Sequence, residues 1–500
     1  MNIGYCWLKE HFQLLDYPLP GSSQLGSRMA VQEENGLTIR TFTSQYIPKP
    51  DPIAHLEFAL KYEGVNLPVL SATFRALGAA PIEAALRQTP SGKYTRLIGF
   101  YYEFCTGETL DPTIEVGGNY VPALEESEYV TLAGKNSTRW RVRNNLLGSA
   151  DFCPMIRQKQ GIPNANDTSL QHAVSAMVAD LPLSLLERAA DYLYLQETKS
   201  TYRIEREEMP KLARMTRFLG LLHSGGSGSL NELLSEEGLT ERQQLIVDPR
   251  YAETGFRVSQ NYVGETQHYR EKVHYICPPP AQVSQLMTGL RHMAVESMSL
   301  HPVIQAALVS FAFVFIHPFE DGNGRLHRFL IHDLLHRRQL VPTGLLLPVS
   351  ATMSKNLHDY DKALESFSWP LVKILASFEV DENGALSFLN GTELADYYRF
   401  PDMTAVALYL AATVKQTIQQ DFAKELQLIQ CFDLAREQIR DIVDMPDRRL
   451  DLLLRYLYQN RGVLANRKRS DFSELTDTEL ADIQGVFQEA FQEMQDTQRF

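Results

Sequence analysis

Five hundred residues, 44% hydrophobic and 22% charged, suffice for two or three packed domains and exclude a wholly disordered, collagenous or coiled-coil chain. With 48 Lys and Arg against 61 Asp and Glu, the net charge of −13 excludes a surface that tracks phosphate backbones as a whole, though not a local basic patch. Five cysteines (Cys6, Cys105, Cys153, Cys277, Cys431) stand far apart and never as CxxC, so neither a disulfide framework nor a zinc knuckle is expected.

The N-terminus has no basic stretch followed by an apolar core, and no apolar run is long enough to span a bilayer. No signal peptide and no membrane partner are expected, and a reducing cytoplasm is the expected compartment. The first fifty or so residues read as irregular, ending in the proline-rich Tyr46-Ile-Pro-Lys-Pro-Asp-Pro. From Ile53 to about Ala150 short helical periods mix with aromatic-rich runs. Leu183 to Glu208 carries apolar residues at helical spacing (Leu185, Leu186, Ala189, Leu193, Leu195) and stops before Pro210. His223-Ser-Gly-Gly-Ser-Gly-Ser reads as a flexible linker, since it lacks the GK(S/T) ending of a phosphate-cradling loop. One β-like stretch follows, Gly255-Phe-Arg-Val-Ser-Gln-Asn-Tyr-Val-Gly. Pro302 to Ile316 reads as a buried helix. Beyond Asp361 the pattern is almost wholly amphipathic helix. Its end has the shape of a winged helix-turn-helix: a helix Leu450 to Tyr458, the turn Asn460-Arg-Gly, a basic run ending at Arg469, and a capping box Thr476 to Glu479 opening the last helix. The class is mainly α.

One stretch holds most of the chemical information: Phe315-Ile-His-Pro-Phe-Glu-Asp-Gly-Asn-Gly-Arg-Leu-His-Arg. An apolar helix ends at His317, a glycine-rich loop follows, and a second helix begins near Asn323. Unpaired backbone N–H groups around Gly322 to Gly324, with the helix dipole behind them, make an anion site. Asp321 offers a hard oxygen to a magnesium ion that already carries phosphate. Arg325 and Arg328, three apart, share a helix face and reach further phosphates. His317 stands at the other rim as a proton acceptor. This combination points to phosphoryl or nucleotidyl transfer.

These residues resemble the signature of the Fic family, HxFx(D/E)GNGRxxR: His317, Phe319, Asp321, Gly322, Asn323, Gly324, Arg325 and Arg328 all match. The stretch Gly255 to Gly264, followed by Tyr275-Ile-Cys-Pro-Pro-Pro, looks like the β-hairpin flap that such proteins place upstream, whose edge can pair with an extended target segment. The resemblance implies a helical Fic core and transfer of AMP from ATP to a Ser, Thr or Tyr hydroxyl of a target protein or of the enzyme itself. His317 would be the base and Asp321 the Mg²⁺ ligand. The Gly322 to Gly324 amides and the Asn323 side chain would stabilise the phosphate charge, Arg325 would hold the β-phosphate, and Arg328 the γ-phosphate. Phe319 would anchor the loop. Many family members also carry an inhibitory helix with the pattern (S/T)xxxE(G/N), whose Glu pairs with the second motif arginine. Thr201 and Glu205 match it, whereas Arg206 departs from the expected Gly or Asn.

The chain is thus divided into an N-terminal mixed region (1–180), an inhibitory helix segment (181–222), the Fic core (223–375) and a C-terminal helical region (376–500). Other readings stay open. The family also contains users of UTP, of a choline-bearing nucleotide, or of phosphate alone. A DNA-binding regulator that senses nucleotide through its Fic core is the alternative of another class, with nucleic acid met only through the C-terminal basic run. A homo-oligomer is compatible with the sequence. His332 and His336 have the i, i+4 spacing of a zinc helix but no third ligand, so they are expected on a partly exposed helix face; His327 needs no role.

Overall fold

Start signals in the sequence set many of the element boundaries. Asp51 accepts the Ala54 N–H at 3.0 Å and opens the helix Pro52–Tyr62, and Asn66 does the same for Leu67–Leu77. Reciprocal capping boxes at Ser229 with Glu232 and at Thr476 with Glu479 open Leu230–Leu233 and Asp477–Ala490. The computed structural model describes residues 1–492 apart from 15–16, 35–36, 180, 208–210, 268–269, 343, 375–377, 381–385 and 389–394. The end of the expected Leu183 to Glu208 helix at Glu208, and Pro210, lie outside the described residues.

The chain forms two compact units. The first comprises Met1–Asp167, Ile204–Arg338 and Lys355–Ala412. Its N-terminal part is not irregular, as the sequence suggested. Four short strands form one sheet in the order Asn2–Ile3, Gly21–Leu25, Leu37–Phe42, Ala30–Glu34, with the middle pair parallel. Strands of two to six residues leave too little alternation to be seen in a sequence, and their pairing is non-local. Ile3 and Phe42 bury against Phe58 of the first long helix. The four helices between Pro52 and Thr106 then build the larger core, around Phe74, Tyr101, Tyr102 and Trp140.

The rest of the first unit is arranged about Pro302–Ile316. Every residue of this helix is buried except Val314, as its all-round apolar composition requires. It packs between Pro280–Glu296 and Asn323–Arg337. The flap is a two-stranded antiparallel hairpin, Tyr262–Gln267 with Arg270–Ile276, packed on the helix Leu357–Ile374. It begins at Tyr262, later than the sequence suggested. The residues from Gly255 to Asn261 are irregular because Arg257 turns inward, which no period-2 pattern reveals.

The Gly-rich stretch after His223 is a short tied turn rather than a free linker. The Gly226 N–H donates to Asp333 (2.8 Å), the Gly225 carbonyl meets His336 Nδ1 (3.0 Å), and Arg337 donates to the carbonyls of Ser227 and Gly228. His336 therefore serves this turn, and among the described residues no group of three or more His, Cys, Asp or Glu is placed to hold a metal.

The second unit comprises Thr168–Arg203, Gln339–Ser354 and the chain from Thr413 onward. In it Glu197, fully buried, accepts the Ser350 N–H at 2.8 Å, and Thr201 donates to the Ser350 hydroxyl at 3.3 Å. Ala423–Ile442, Asp447–Gln459 and Asp477–Ala490 close on a core of Leu453, Leu457, Phe472 and Phe487. The basic run does not form a wing. It is a 3-10 helix, Asn466–Phe472, and no strand occurs after Phe388 among the described residues. Capping at Thr476, so soon after Phe472, leaves too little chain for a hairpin. Lys468 and Arg469 pair with Asp471 and Asp477 within this region. Among the described residues no single helix is long and apolar enough to cross a membrane.

Candidate active site

Two helices and the corner between them position the motif. Pro302–Ile316 ends on His317 in the left-handed conformation (φ 53°, ψ 60°), which turns the chain sharply without a glycine. The loop closes through Asn323, whose side chain clasps Phe319 twice: Oδ1 accepts its N–H (3.1 Å) and Nδ2 donates to its carbonyl (2.7 Å). Phe319 is fully buried and meets Phe256 edge-on at 5.6 Å, as the anchor expected of it. Gly322 takes φ 91°, a value that a side chain would resist, and starts the helix Asn323–Arg337.

Residues outside the motif hold this corner in place, and no sequence pattern points to them. Arg257 is 4% exposed and gathers backbone carbonyls: His317 at 2.7 Å, Ser259 at 2.8 Å and Pro278 at 2.6 Å. Its own N–H donates to the Pro318 carbonyl. Glu253 accepts the N–H groups of Glu320 (3.0 Å) and Asp321 (3.5 Å), and burial raises its carboxyl above the usual range. The Tyr275 hydroxyl donates to the Phe315 carbonyl from the flap. These are single polar residues in loops and strand ends, with no periodicity to betray them.

His317 is half-buried and lines a cavity of about 320 Å³ together with Gly324, flap residues Val263, His274 and Tyr275, and Asp361 and Leu364 of the helix behind. A backbone carbonyl only accepts, so the 3.2 Å contact with Val314 fixes the proton on Nδ1 and leaves Nε2 with its lone pair. The close protein surroundings, reinforced by the Arg257 charge, push the imidazole down to about 4. It is neutral at pH 7, the form that a proton acceptor needs.

Asp321 points one oxygen inward, where Oδ1 accepts the Gly322 N–H (2.6 Å) and Arg325 Nη2 (3.0 Å). Its side chain is 59% exposed and Oδ2 makes no hydrogen bond among the described residues. One carboxylate oxygen in the open fits a magnesium ion that draws its remaining ligands from water and phosphate, and not an all-protein metal cage. The Gly322 amide is committed to Asp321, and the Asn323 side chain to Phe319. In this arrangement Asn323 shapes the loop and does not turn its amide to a ligand.

The two arginines are nearly fully buried, at 3% and 2% exposure, and one carboxylate spans them. Glu205 Oε1 lies 2.5 Å from Arg328 Nη2, and Oε2 lies 3.3 Å from Arg325 Nε. Arg325 also donates to the Ile246 carbonyl at 2.6 Å, and Arg328 hydrogen-bonds the Tyr360 side chain. Glu205 follows immediately on the helix Leu183–Ile204, and Arg206 after it takes φ 60°. The position where Gly or Asn was expected is thus left-handed, and Arg206 occupies it while pairing with Glu265 of the flap at 3.1 Å. Gly324 sits beneath: a Cβ there would come within 3.1 Å of Glu205 Oε1 and 3.4 Å of Arg328 Nη1. Glu207 pairs away from the site, with Arg214 at 2.6 Å.

Residues 233–335 match the Fic/DOC family model. Among curated relatives, this chain is similar to "Protein adenylyltransferase Fic" of Drosophila virilis, at 37% identity over 123 residues, covering 24% of this chain and 23% of that protein. The same-named protein of Drosophila mojavensis is 37% identical over 123 residues, 22% of its length. The chain therefore spans less than a quarter of the length of these relatives. Among solved structures, a Fic family protein from Desulfovibrio desulfuricans covers 56% of this chain and 80% of its own, at 18% identity and a TM-score of 0.36. A Fic-domain-containing signaling protein from Bacteroides thetaiotaomicron covers 52% and 96%, at 17% identity and a TM-score of 0.37. On the complete motif, the geometry of its corner and the matched segment, this is a Fic-domain protein, with its Fic/DOC family domain at residues 233–335.

Proposed function

We propose that the protein is a Fic-domain transferase that moves AMP from ATP to a Ser, Thr or Tyr hydroxyl of a target protein or of itself, and that Glu205 restrains it. The observation that carries this reading is a neutral His317, its Nδ1 proton tied to Val314, lining one cavity with Gly324, against which the Arg328 guanidinium lies.

His317 Nε2 takes the hydroxyl proton as the oxygen forms its bond to the α-phosphorus. The bond from that phosphorus to the α–β bridging oxygen breaks in line, and pyrophosphate leaves with the electron pair. Asp321 would hold a Mg²⁺ ion, which would supply charge neutralisation to the donor phosphates. Arg325 and Arg328 receive the β- and γ-phosphates where Glu205 now lies, so donor and Glu205 compete for the same guanidinium groups. The family resemblance and the curated relatives' name support AMP as the transferred group.

The test is incubation with ATP labelled at the α-phosphate, in parallel with γ-labelled ATP and α-labelled UTP. Label from α-labelled ATP alone is expected on protein. His317→Ala should reduce it by about 10²- to 10⁴-fold with ATP affinity retained. Label from γ-labelled ATP, or undiminished labelling by His317→Ala, would overturn the assignment.

A further inference from the structure

A second cavity, of about 200 Å³, lies in the first unit and shares no lining residue with the one at His317. We propose that it binds a small monocarboxylate with a compact apolar body, held by Arg157. Five of its lining residues are prolines: Pro18, Pro20, Pro68, Pro370 and Pro401. Proline has no N–H, so these walls offer a ligand no backbone donor. Met155 and Phe400 add further apolar surface.

Against that lining stands one cation. Arg157 is half-buried, and its guanidinium packs over the Tyr129 ring at 5.4 Å and makes no hydrogen bond or ion pair among the described residues. In a chain of net charge −13, this arginine is left without a carboxylate partner among the described residues, and a half-buried cation gains from pairing with an anion. The one carboxylate that lines the cavity, Asp402, accepts the Thr404 N–H at 2.9 Å and forms no salt bridge with Arg157. A planar guanidinium with free N–H donors is matched by a carboxylate.

The site is also built in advance of a ligand. The Arg157 N–H donates to the Thr404 hydroxyl (2.9 Å), and Arg157 bridges Tyr129 across an antiparallel step. The Met155 N–H donates to the Pro401 carbonyl (2.9 Å) and the Met403 N–H to the Met155 carbonyl (2.8 Å). Backbone fixed on both sides keeps the ordering cost of binding low. A cavity of about 200 Å³ suits a short branched or monocyclic acid.

The experiment is titration calorimetry on the full chain with phenylacetate, phenylacetamide and L-phenylalanine, with and without saturating ATP. Phenylacetate should bind with a dissociation constant at or below about 1 mM, and the amide at least about tenfold more weakly. Arg157→Gln should lose about tenfold or more for the acid, and Arg157→Lys, which keeps the charge without the fork, should lose less. Thermal unfolding of both variants checks that they fold; if the Gln variant does not, the Lys variant and the acid–amide ratio decide. Tighter binding of phenylalanine, lost in Asp402→Asn, would support the same site with an amino acid as occupant. Absence of saturable binding, equal binding of acid and amide, displacement of phenylacetate by ATP, or undiminished binding in Arg157→Gln would each overturn the proposal.

Discussion

Replacing Glu205 by glycine should activate and destabilise the protein together. The carboxylate reaches Arg328 Nη2 at 2.5 Å and Arg325 Nε at 3.3 Å, with the arginines 2% and 3% exposed and the glutamate side chain 27% exposed. A hydrogen bond to a charged group contributes about 1.5–3 kcal/mol when buried. Partial exposure weakens this contact, and the left-handed Arg206 costs about 1 kcal/mol. A net preference of about 0.5–2 kcal/mol for the closed arrangement corresponds to roughly a twofold to thirtyfold excess of closed over open molecules. Self-labelling at subsaturating ATP should therefore rise by about that factor in Glu205→Gly. The same change takes the shared carboxylate from two buried guanidinium groups, so the melting temperature should fall without nucleotide, and ATP should restore it by a larger increment than in the wild type. Glu205→Gly combined with Arg328→Ala should lose the gain. Glu207→Gly is the control, since Glu207 pairs with Arg214. Equal activation by Glu207→Gly would reduce the effect to general charge. An unchanged labelling rate in Glu205→Gly, with the melting temperature lowered as expected, would refute the brake while leaving the ion pair intact as a structural contact.

The remaining predictions use other parts of the corner. With His317 held down at about 4, kcat/KM for labelling should stay flat on acidification to about pH 5, its acid limb falling near the depressed value; a limb centred near the ordinary ~6.5 would refute the assigned environment. His55, His317 and His327 are all depressed by burial, to about 4, about 4 and about 3. The unfolded chain then binds more protons between the ordinary histidine value and these, so stability is present above about pH 6.5 and is lost as pH falls through the window; a melting temperature unchanged from pH 7.5 to pH 5 would contradict this. Asn323→Ala leaves the Phe319 N–H and carbonyl without their clasp, at about 1–3 kcal/mol for each buried group, so labelling and melting temperature should fall together. Loss of labelling at unchanged stability would return Asn323 to the phosphates. Arg206→Gly relieves the left-handed strain and should keep labelling low; activation matching that of Glu205→Gly would move the brake to the Arg206–Glu265 pair.

The motif was legible because its chemistry is local: His317, Asp321, Gly322, Arg325 and Arg328 lie within twelve residues, and the structure brings them to one corner. Glu205 was legible only through a short pattern, and what places it on Arg328 is a contact across 123 positions. Arg257 and Glu253 were not legible at all. Each works through backbone groups of the motif loop, and a residue that bonds carbonyls or amides needs no particular neighbour in sequence. The N-terminal sheet escaped for a related reason, since its parallel pair joins Gly21–Leu25 to Leu37–Phe42 across an intervening strand. The helices Leu183–Ile204 and Asp447–Gln459 were legible because burial of one face imposes a 3.6-residue period. The wing failed at the opposite limit: a basic run has no periodicity, and a 3-10 helix satisfied it.

Three positions of the corner obey one rule about side chains and backbone conformation. His317 and Arg206 each end a helix in the left-handed region, at φ 53° and 60°, where glycine would fit at lower cost. Glycine would turn the chain but would supply neither a ring tethered to Val314 nor a guanidinium on Glu265. Gly324 is the converse, since its backbone is ordinary helix and it is the Cβ that has no room, with Glu205 Oε1 and Arg328 Nη1 above it. Strain is thus accepted where a side chain is wanted and a side chain is omitted where a ligand oxygen must approach. The same bare patch that admits the Glu205 carboxylate is the size and polarity needed for a phosphate oxygen against a helix start. The competition proposed between Glu205 and the donor would take place on one surface, the bare Gly324 face beside Arg328.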